Sequence, residues 1–185
     1  MKRFALLVLI ALSCGCARNT QPEINYGVVS KFSLMDQGAN TITNADLAGK
    51  VWIAGFIFTS CAGTCPMLTS NMRRLQDALP AEVHLVSFTI DPERDTPEVL
   101  DKYATQFHAD KKRWHFLTGE KQKLHDLSIK GFKLALDETS GTEVEPITHS
   151  TRLVLIDKEG RIRGYYGGTD DAEMKKLFTD ATELL

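Results

Sequence analysis

The stretch Val51-Trp52-Ile53-Ala54-Gly55-Phe56-Ile57-Phe58-Thr59-Ser60-Cys61-Ala62-Gly63-Thr64-Cys65-Pro66 changes its periodicity part-way along, and the change decides the fold. Residues 51–58 are aromatic and β-branched, too short for a typical helix, and apolar on both faces of an extended chain. That pattern predicts a buried central strand. From Pro66 onward Met67, Leu68, Met72, Leu75 and Leu79 recur at three- and four-residue intervals, which predicts a helix to about Leu79 with one apolar face. Proline suits the first helical position, and it biases Cys65 away from helical dihedrals. Cys65 therefore falls at the mouth of the helix, and Gly63 lets the loop turn Cys61 back beside it.

The positive end of the helix favours a thiolate over a thiol, and the thiolate is the form that attacks disulfides and binds metals. Two cysteines on a strand-to-helix turn fit a redox pair. Three residues separate them here, however, where the usual redox motif has two. The wider loop leaves room for an ion between the sulfurs, and two inert buried thiols are the plain alternative.

Outward from this stretch the chain alternates strands with helices. Before it, residues 17–27 are polar and aperiodic and read as a mobile tether. Val28 to Leu34 reads as a strand ending at the turn Asp36-Gln37-Gly38, and Thr43 to Leu47 as one short helical turn. After it, Pro80 stops the first helix and Val83 to Ile90 forms a second buried strand. Thr96 then caps a helix starting at Pro97 and presenting Val99, Leu100, Tyr103 and Phe107. A strand at Trp114 to Thr118 and a helix at Lys121 to Lys130, with Leu124, Leu127 and Ile129 on its apolar side, follow. Phe132 to Leu136 and Val144 to Ile147 read as the arms of a hairpin. Strands at Arg152 to Ile156 and Arg161 to Tyr166, around the turn Asp157 to Gly160, precede a last helix from about Asp171 to Leu184. The prediction is an α/β fold of thioredoxin type, a central sheet flanked by helices with an added hairpin. Residues 28–185 form its single domain, large enough to hold a core without staples.

Met1-Lys2-Arg3 and the apolar run Phe4 to Leu12 make a basic and a hydrophobic region too short to span a bilayer comfortably. Residues 1–15 are thus expected to be an export signal. Ser13-Cys14-Gly15-Cys16 resembles a lipoprotein cleavage box; the preceding glycine favours Cys16 as the lipidated residue, with Cys14 as competitor and plain secretion as the alternative. The expected product is exported and membrane-anchored, facing the periplasm or the cell exterior. Loss of residues 1–15 leaves 20 basic against 24 acidic side chains, a net charge near −4, which argues against nucleic acid as a partner. With Cys14 and Cys16 in the signal region, only Cys61 and Cys65 remain in the domain. A disulfide scaffold is excluded, and outside the cytoplasm the pair would oxidise unless reduced or metallated.

Five ordered stretches between about Phe32 and Tyr166 resemble the Sco/SenC family. They are Gly49-Lys50; Phe56-Ile57-Phe58-Thr59-Ser60-Cys61 with Cys65-Pro66; Asp91-Pro92-Glu93-Arg94-Asp95-Thr96-Pro97; Leu117-Thr118-Gly119; and His149-Ser150 before Leu153-Val154-Leu155-Ile156-Asp157. The resemblance implies a thioredoxin-like copper-binding assembly factor for the copper-A centre of cytochrome c oxidase. Carried over, the family's metal ligands fall on Cys61, Cys65 and His149, with Cys61 and Cys65 also able to form a redox-active disulfide. Many relatives have proline and aspartate where this chain has Ala62-Gly63, so this loop is the more flexible while every ligand is kept. The implied partners are the copper-A subunit, a copper donor protein, and the membrane through the lipid anchor. Two thiolates suit Cu(I), an imidazole suits either oxidation state, and three protein ligands leave a position open for handover.

The alternative activity is a thiol-disulfide reductase that keeps the recipient's cysteines reduced, for which His149 has little use. A thiol peroxidase lacks an assignable activating arginine. Asp91 is expected either to orient the loop or His149, or to form only a turn. His84, His108, His115 and His125 read as surface or half-buried residues, and Met67 and Met72 as core packing rather than copper ligands.

Overall fold

The computed structural model describes residues 25–134, 136–137, 148–149 and 151–185, with only the backbone described at 136, 137, 148 and 149. The predicted signal region, Cys14 and Cys16 lie outside these residues.

Five strands form the central sheet, in the order Trp114–Leu117 (β5), His84–Thr89 (β4), Trp52–Ile57 (β3), Arg152–Ile156 (β8) and Ile162–Gly167 (β9). β3 (Trp52–Ile57) is its centre, buried at all six positions. β4 (His84–Thr89) and β5 (Trp114–Leu117) run parallel to it, while on its other side β8 (Arg152–Ile156) runs antiparallel to β3 and β9 (Ile162–Gly167) antiparallel to β8. The parallel pairs need crossover helices, and the sequence supplies them: α2 (Thr64–Ala78) joins β3 to β4, and α3 (Pro97–Gln106) joins β4 to β5. Thr96 caps α3 with its side chain on the Val99 amide and Pro97 opens it, as predicted. α5 (Asp171–Glu183), capped by Asp170, packs along β9.

The two sheet faces have different fillings. On one, Met72 of α2 meets Ser87 (3.6 Å), and Ser87 in turn accepts the Trp114 indole N–H (3.0 Å). Gly55 is required there, because a Cβ would sit 3.2 Å from the Met72 sulfur and 3.0 Å from Leu153. On the other face Phe132 is wholly buried edge-on to Trp52 and Phe56, and Phe32 stands edge-on to Phe88. Such aromatic contacts each contribute about 0.5–1.5 kcal/mol beyond simple burial.

That second face is covered by a small antiparallel pair, β1 (Ser33–Met35) and β2 (Thr41–Thr43), by α1 (Asn44–Leu47), and by α4 (Lys121–Asp126). The predicted strand from Val28 is broken, since Val28 bridges Arg161 while Met35 bridges Thr118 on the opposite side of the sheet. The chain crosses the face between those points. Tyr26 and Gly27, read from the sequence as tether, exchange backbone hydrogen bonds with Ile162 (3.0 and 2.8 Å), and the Lys133 ammonium donates to the Tyr26 carbonyl (2.6 Å). Backbone pairing with the domain therefore begins before Val28.

Three further expectations need correction. The helix read through Lys130 ends at Asp126 and continues as a π-type turn over Leu127–Gly131, which rotates Ile129 outward to 40% exposure. Of the first hairpin arm read from the sequence, Phe132 belongs to the core and Leu136 to β6 (Leu136–Asp137), which pairs antiparallel with β7 (Thr148–His149); the second arm read at Val144 to Ile147 lies outside the described residues. α2 begins at Thr64, so Pro66 is its third residue rather than its first. Proline is tolerated there because the first four amide groups of a helix have no intrahelical acceptor.

Candidate metal centre

β3, β4 and β5 all end at one edge of the sheet, and antiparallel β8 begins there. This is the end at which α/β folds gather ligand-binding loops. β3 delivers Phe58 to Cys61 to that edge, and α2 takes the chain away again. Gly63 is the N-cap, with backbone angles of φ −109° and ψ −102° and no side chain to cap the helix. The Cys65 amide donates to the Cys61 sulfur at 3.4 Å. A cysteine sulfur thus does what a Ser or Asp oxygen does at other helix starts, and partial negative charge on it is favoured by the helix end. The pair is not joined by a disulfide. Both residues are buried, Cys61 at 5% exposure and Cys65 at 0%.

The loop is held from below by a carboxylate that sequence reasoning passed over. Asp95 is fully buried and accepts the Thr59 amide (3.1 Å), the Thr59 hydroxyl and the Thr89 hydroxyl. Its position follows from the turn Asp91-Pro92-Glu93-Arg94-Asp95, in which the Arg94 and Asp95 amides both donate to the Asp91 carbonyl and the chain curls inward. The only sequence signal was an acid immediately before a helix cap, a place where carboxylates are usually solvated. The Asp91 carboxylate pairs with Arg94 (3.1 Å).

On the helix side, Thr69 donates to the Cys65 carbonyl (2.9 Å) and lies 3.0 Å from the Tyr103 hydroxyl. Burial chiefly, with the neighbouring Cys65, Cys61 and Asp95 adding to it and the Thr69 hydrogen bond opposing it, pushes the Tyr103 pKa well up, so its proton stays on. Asn71 donates to the Gly168 carbonyl (2.8 Å), and the Gly168 amide to the carbonyl of Thr151 (3.0 Å). The first turns of α2 are thereby clipped to the backbone two residues beyond His149.

His149 is brought to this edge by topology. β7 ends there, one short connection before β8, with His149 opposite Leu136. Its side chain lies outside the described residues. Among those residues no group of three or more His, Cys, Asp or Glu side chains is placed to hold a metal ion. His108 is exposed; His84, His115 and His125 are half-buried, as expected. Met72 is core, but Met67 is 51% exposed, against expectation. The donors that are described, two cysteine sulfurs at a helix N-terminus, fit a soft monovalent ion.

The family model described as SCO1/SenC matches residues 20–181. The chain belongs to this family. It is 31% identical over 179 residues to the SCO1 protein homolog of Bacillus subtilis, covering 95% of this chain and 91% of the relative. The solved structure of BsSco, a member of the Sco family of cytochrome c oxidase assembly proteins in which a disulfide switch was identified, superposes with a TM-score of 0.76 at 30% identity, over 88% of this chain and 95% of that one. Yeast Sco1, solved with copper bound, superposes with a TM-score of 0.69 at 25% identity, over 85% and 87% of the two chains. The thioredoxin-like sheet and its helices are common to these Sco structures. Among the described residues no helix is long and apolar enough to cross a membrane.

Proposed function

We propose that this Sco protein binds copper through the Cys61 and Cys65 thiolates and the His149 imidazole, and delivers it to the copper-A subunit of cytochrome c oxidase. The observation that carries this reading is the contact of the Cys65 amide with the Cys61 sulfur at a helix mouth, on the sheet edge that also receives the strand of His149. Support for copper as the cargo comes from the soft donor set and from the copper-bound yeast relative. When bound, copper would take two thiolates and one imidazole and keep a position open for the recipient. Asp95 and Thr59 hold the loop that carries Cys61, and Thr69 and Tyr103 hold the helix turn that carries Cys65.

In this reading residues 1–15 direct export and Cys16 carries the lipid. The chain from there to about Asn25 tethers the domain to a membrane facing the periplasm or cell exterior, where a donor protein loads it. Metal and disulfide exclude each other, because oxidation of the pair consumes both thiolate donors.

The disulfide switch named for BsSco favours a second reading, reduction of the recipient's cysteine pair. Thiolate attack on that disulfide would leave Cys61 and Cys65 bridged and the recipient carrying two thiols, two electrons having passed. The variant His149→Ala separates the two. A carrier loses Cu(II) binding and at least the 10- to 100-fold in affinity typical of metal-site perturbation, whereas a reductase keeps dithiol exchange nearly intact. A variant that accumulates normally, keeps thiol exchange and fails to assemble oxidase supports delivery; full support of oxidase assembly overturns it.

A further inference from the structure

Both candidate sulfurs are shielded from solvent, at 5% and 0% exposure, so copper reaching them must first cross the outer lip of the site. Along 61–67 the exposed residues are Ala62, Gly63 and Met67, with Thr64 and Pro66 half-buried. Only one of the three exposed residues has a side chain that can bind a soft ion. Met67 is 51% exposed, although its helical neighbours Leu68 and Met72 are wholly buried and sequence periodicity assigns it to the core. It occupies the fourth position of α2, in the same first turn as Cys65. Side chains on a helix lean toward its N-terminus and cover the turn before their own Cα, so a flexible side chain at 67 overhangs Thr64 and Gly63, three and four positions back in the link between the two cysteines.

We propose that Met67 is the capture ligand for this site: its thioether takes Cu(I) at the surface and passes it inward to Cys61 and Cys65. This rests on the copper-binding reading of the same pair. A thioether is a soft but neutral donor, suited to hold Cu(I) briefly and to lose it to thiolates. No electron is exchanged. Cu(I) leaves its donor for the Met67 sulfur, the Cu–S(thioether) bond breaks as two Cu–S(thiolate) bonds form, and the two thiol protons go to solvent. Ala62-Gly63 contributes the give that the loop needs to expose the buried sulfurs, since neither residue carries a bulky side chain.

The test uses the reduced protein and Cu(I) supplied as its bicinchoninate chelate, with loss of chelate colour followed by stopped flow. Met67→Leu keeps the side-chain volume and helix propensity while removing the sulfur. The expected result is loading slowed about tenfold with unchanged final stoichiometry and affinity. In selenomethionine-labelled protein frozen during loading, a Cu–Se scattering path should appear and be absent from the Met67→Leu form. Loading of the leucine variant at the wild-type rate overturns the capture role. So does a loss of equilibrium affinity comparable to that of His149→Ala, which would make Met67 a permanent ligand. If wild-type protein takes up no copper, the capture role falls together with the copper reading; if wild type loads but the variant is indistinguishable from it, only the capture role falls.

Discussion

Asp95→Ala is the substitution that should cost this domain most for the fewest atoms removed. The carboxylate is fully buried and is the acceptor for three donors, the Thr59 amide and the hydroxyls of Thr59 and Thr89. Each buried donor left without a partner costs roughly 1–3 kcal/mol. The two hydroxyls can rotate toward other acceptors, whereas the Thr59 amide is fixed by the backbone, so the costs do not simply add. We expect Asp95→Ala to destabilise by about 3–5 kcal/mol, the range for breaking a buried charged network, and Asp95→Asn by about 1–2 kcal/mol, because the amide keeps its size and one carbonyl acceptor. Against a typical total of about 5–15 kcal/mol, the alanine change removes a large share. Urea unfolding measures it, with Trp52 and Trp114 as buried fluorescence probes. Because Thr59 lies two residues before Cys61, copper affinity should fall in the same order, alanine below asparagine below wild type. An alanine variant within about 0.5 kcal/mol of wild type, the size expected of an ordinary surface change, would refute the assignment of Asp95 as the support of the cysteine loop.

Gly168→Ala places a Cβ 2.8 Å from the Thr151 carbonyl oxygen and against the Leu68 side chain. An overpacking cost of about 1–3 kcal/mol is expected, with faster alkylation of Cys61 as the first turn of α2 is pushed; unchanged stability would show that the backbone gives way freely. His84 has its pKa lowered from 6.5 to about 4, mainly by burial and then by the positive charge of Lys50. The unfolded chain therefore takes the proton first as pH falls. Stability from this group is complete above about pH 6.5 and declines from there toward pH 4, and unfolding of His84→Gln across that window should show a flatter slope. An identical slope would remove His84 from the account.

What the sequence revealed depended on how local the cause was. The strand at 51–58 and the cap of α3 were readable because periodicity and capping chemistry are carried by neighbouring residues. The place of Cys61 and Cys65 at one end of the sheet was readable from the strand-turn-helix order, whereas His149 was named only through the family resemblance. Asp95 was not, since its burial comes from the curl of a turn that brings it under a loop 36 residues earlier. Met67 was counted into the apolar spacing of α2 but lines up with Ser70, Asn71 and Arg74 rather than with Leu68, Met72 and Leu75, so it is uncovered. Tyr26 was assigned to the tether because a single pairing with Ile162 leaves no alternating pattern. The π-type turn at Leu127–Gly131 shifted the register of Ile129 and moved Phe132 into the core, which no spacing rule for an α-helix anticipates.

The most direct test of the central claim is X-ray absorption at the copper edge of the reduced, copper-loaded protein, compared with the same measurement on His149→Ala and on Cys61→Ser. Wild type should give two sulfur scatterers and one imidazole nitrogen; His149→Ala should keep both sulfurs and lose the imidazole signature; Cys61→Ser should lose one sulfur. A spectrum that the His149 substitution leaves unchanged, or a copper ion without sulfur neighbours, would contradict the three-ligand site.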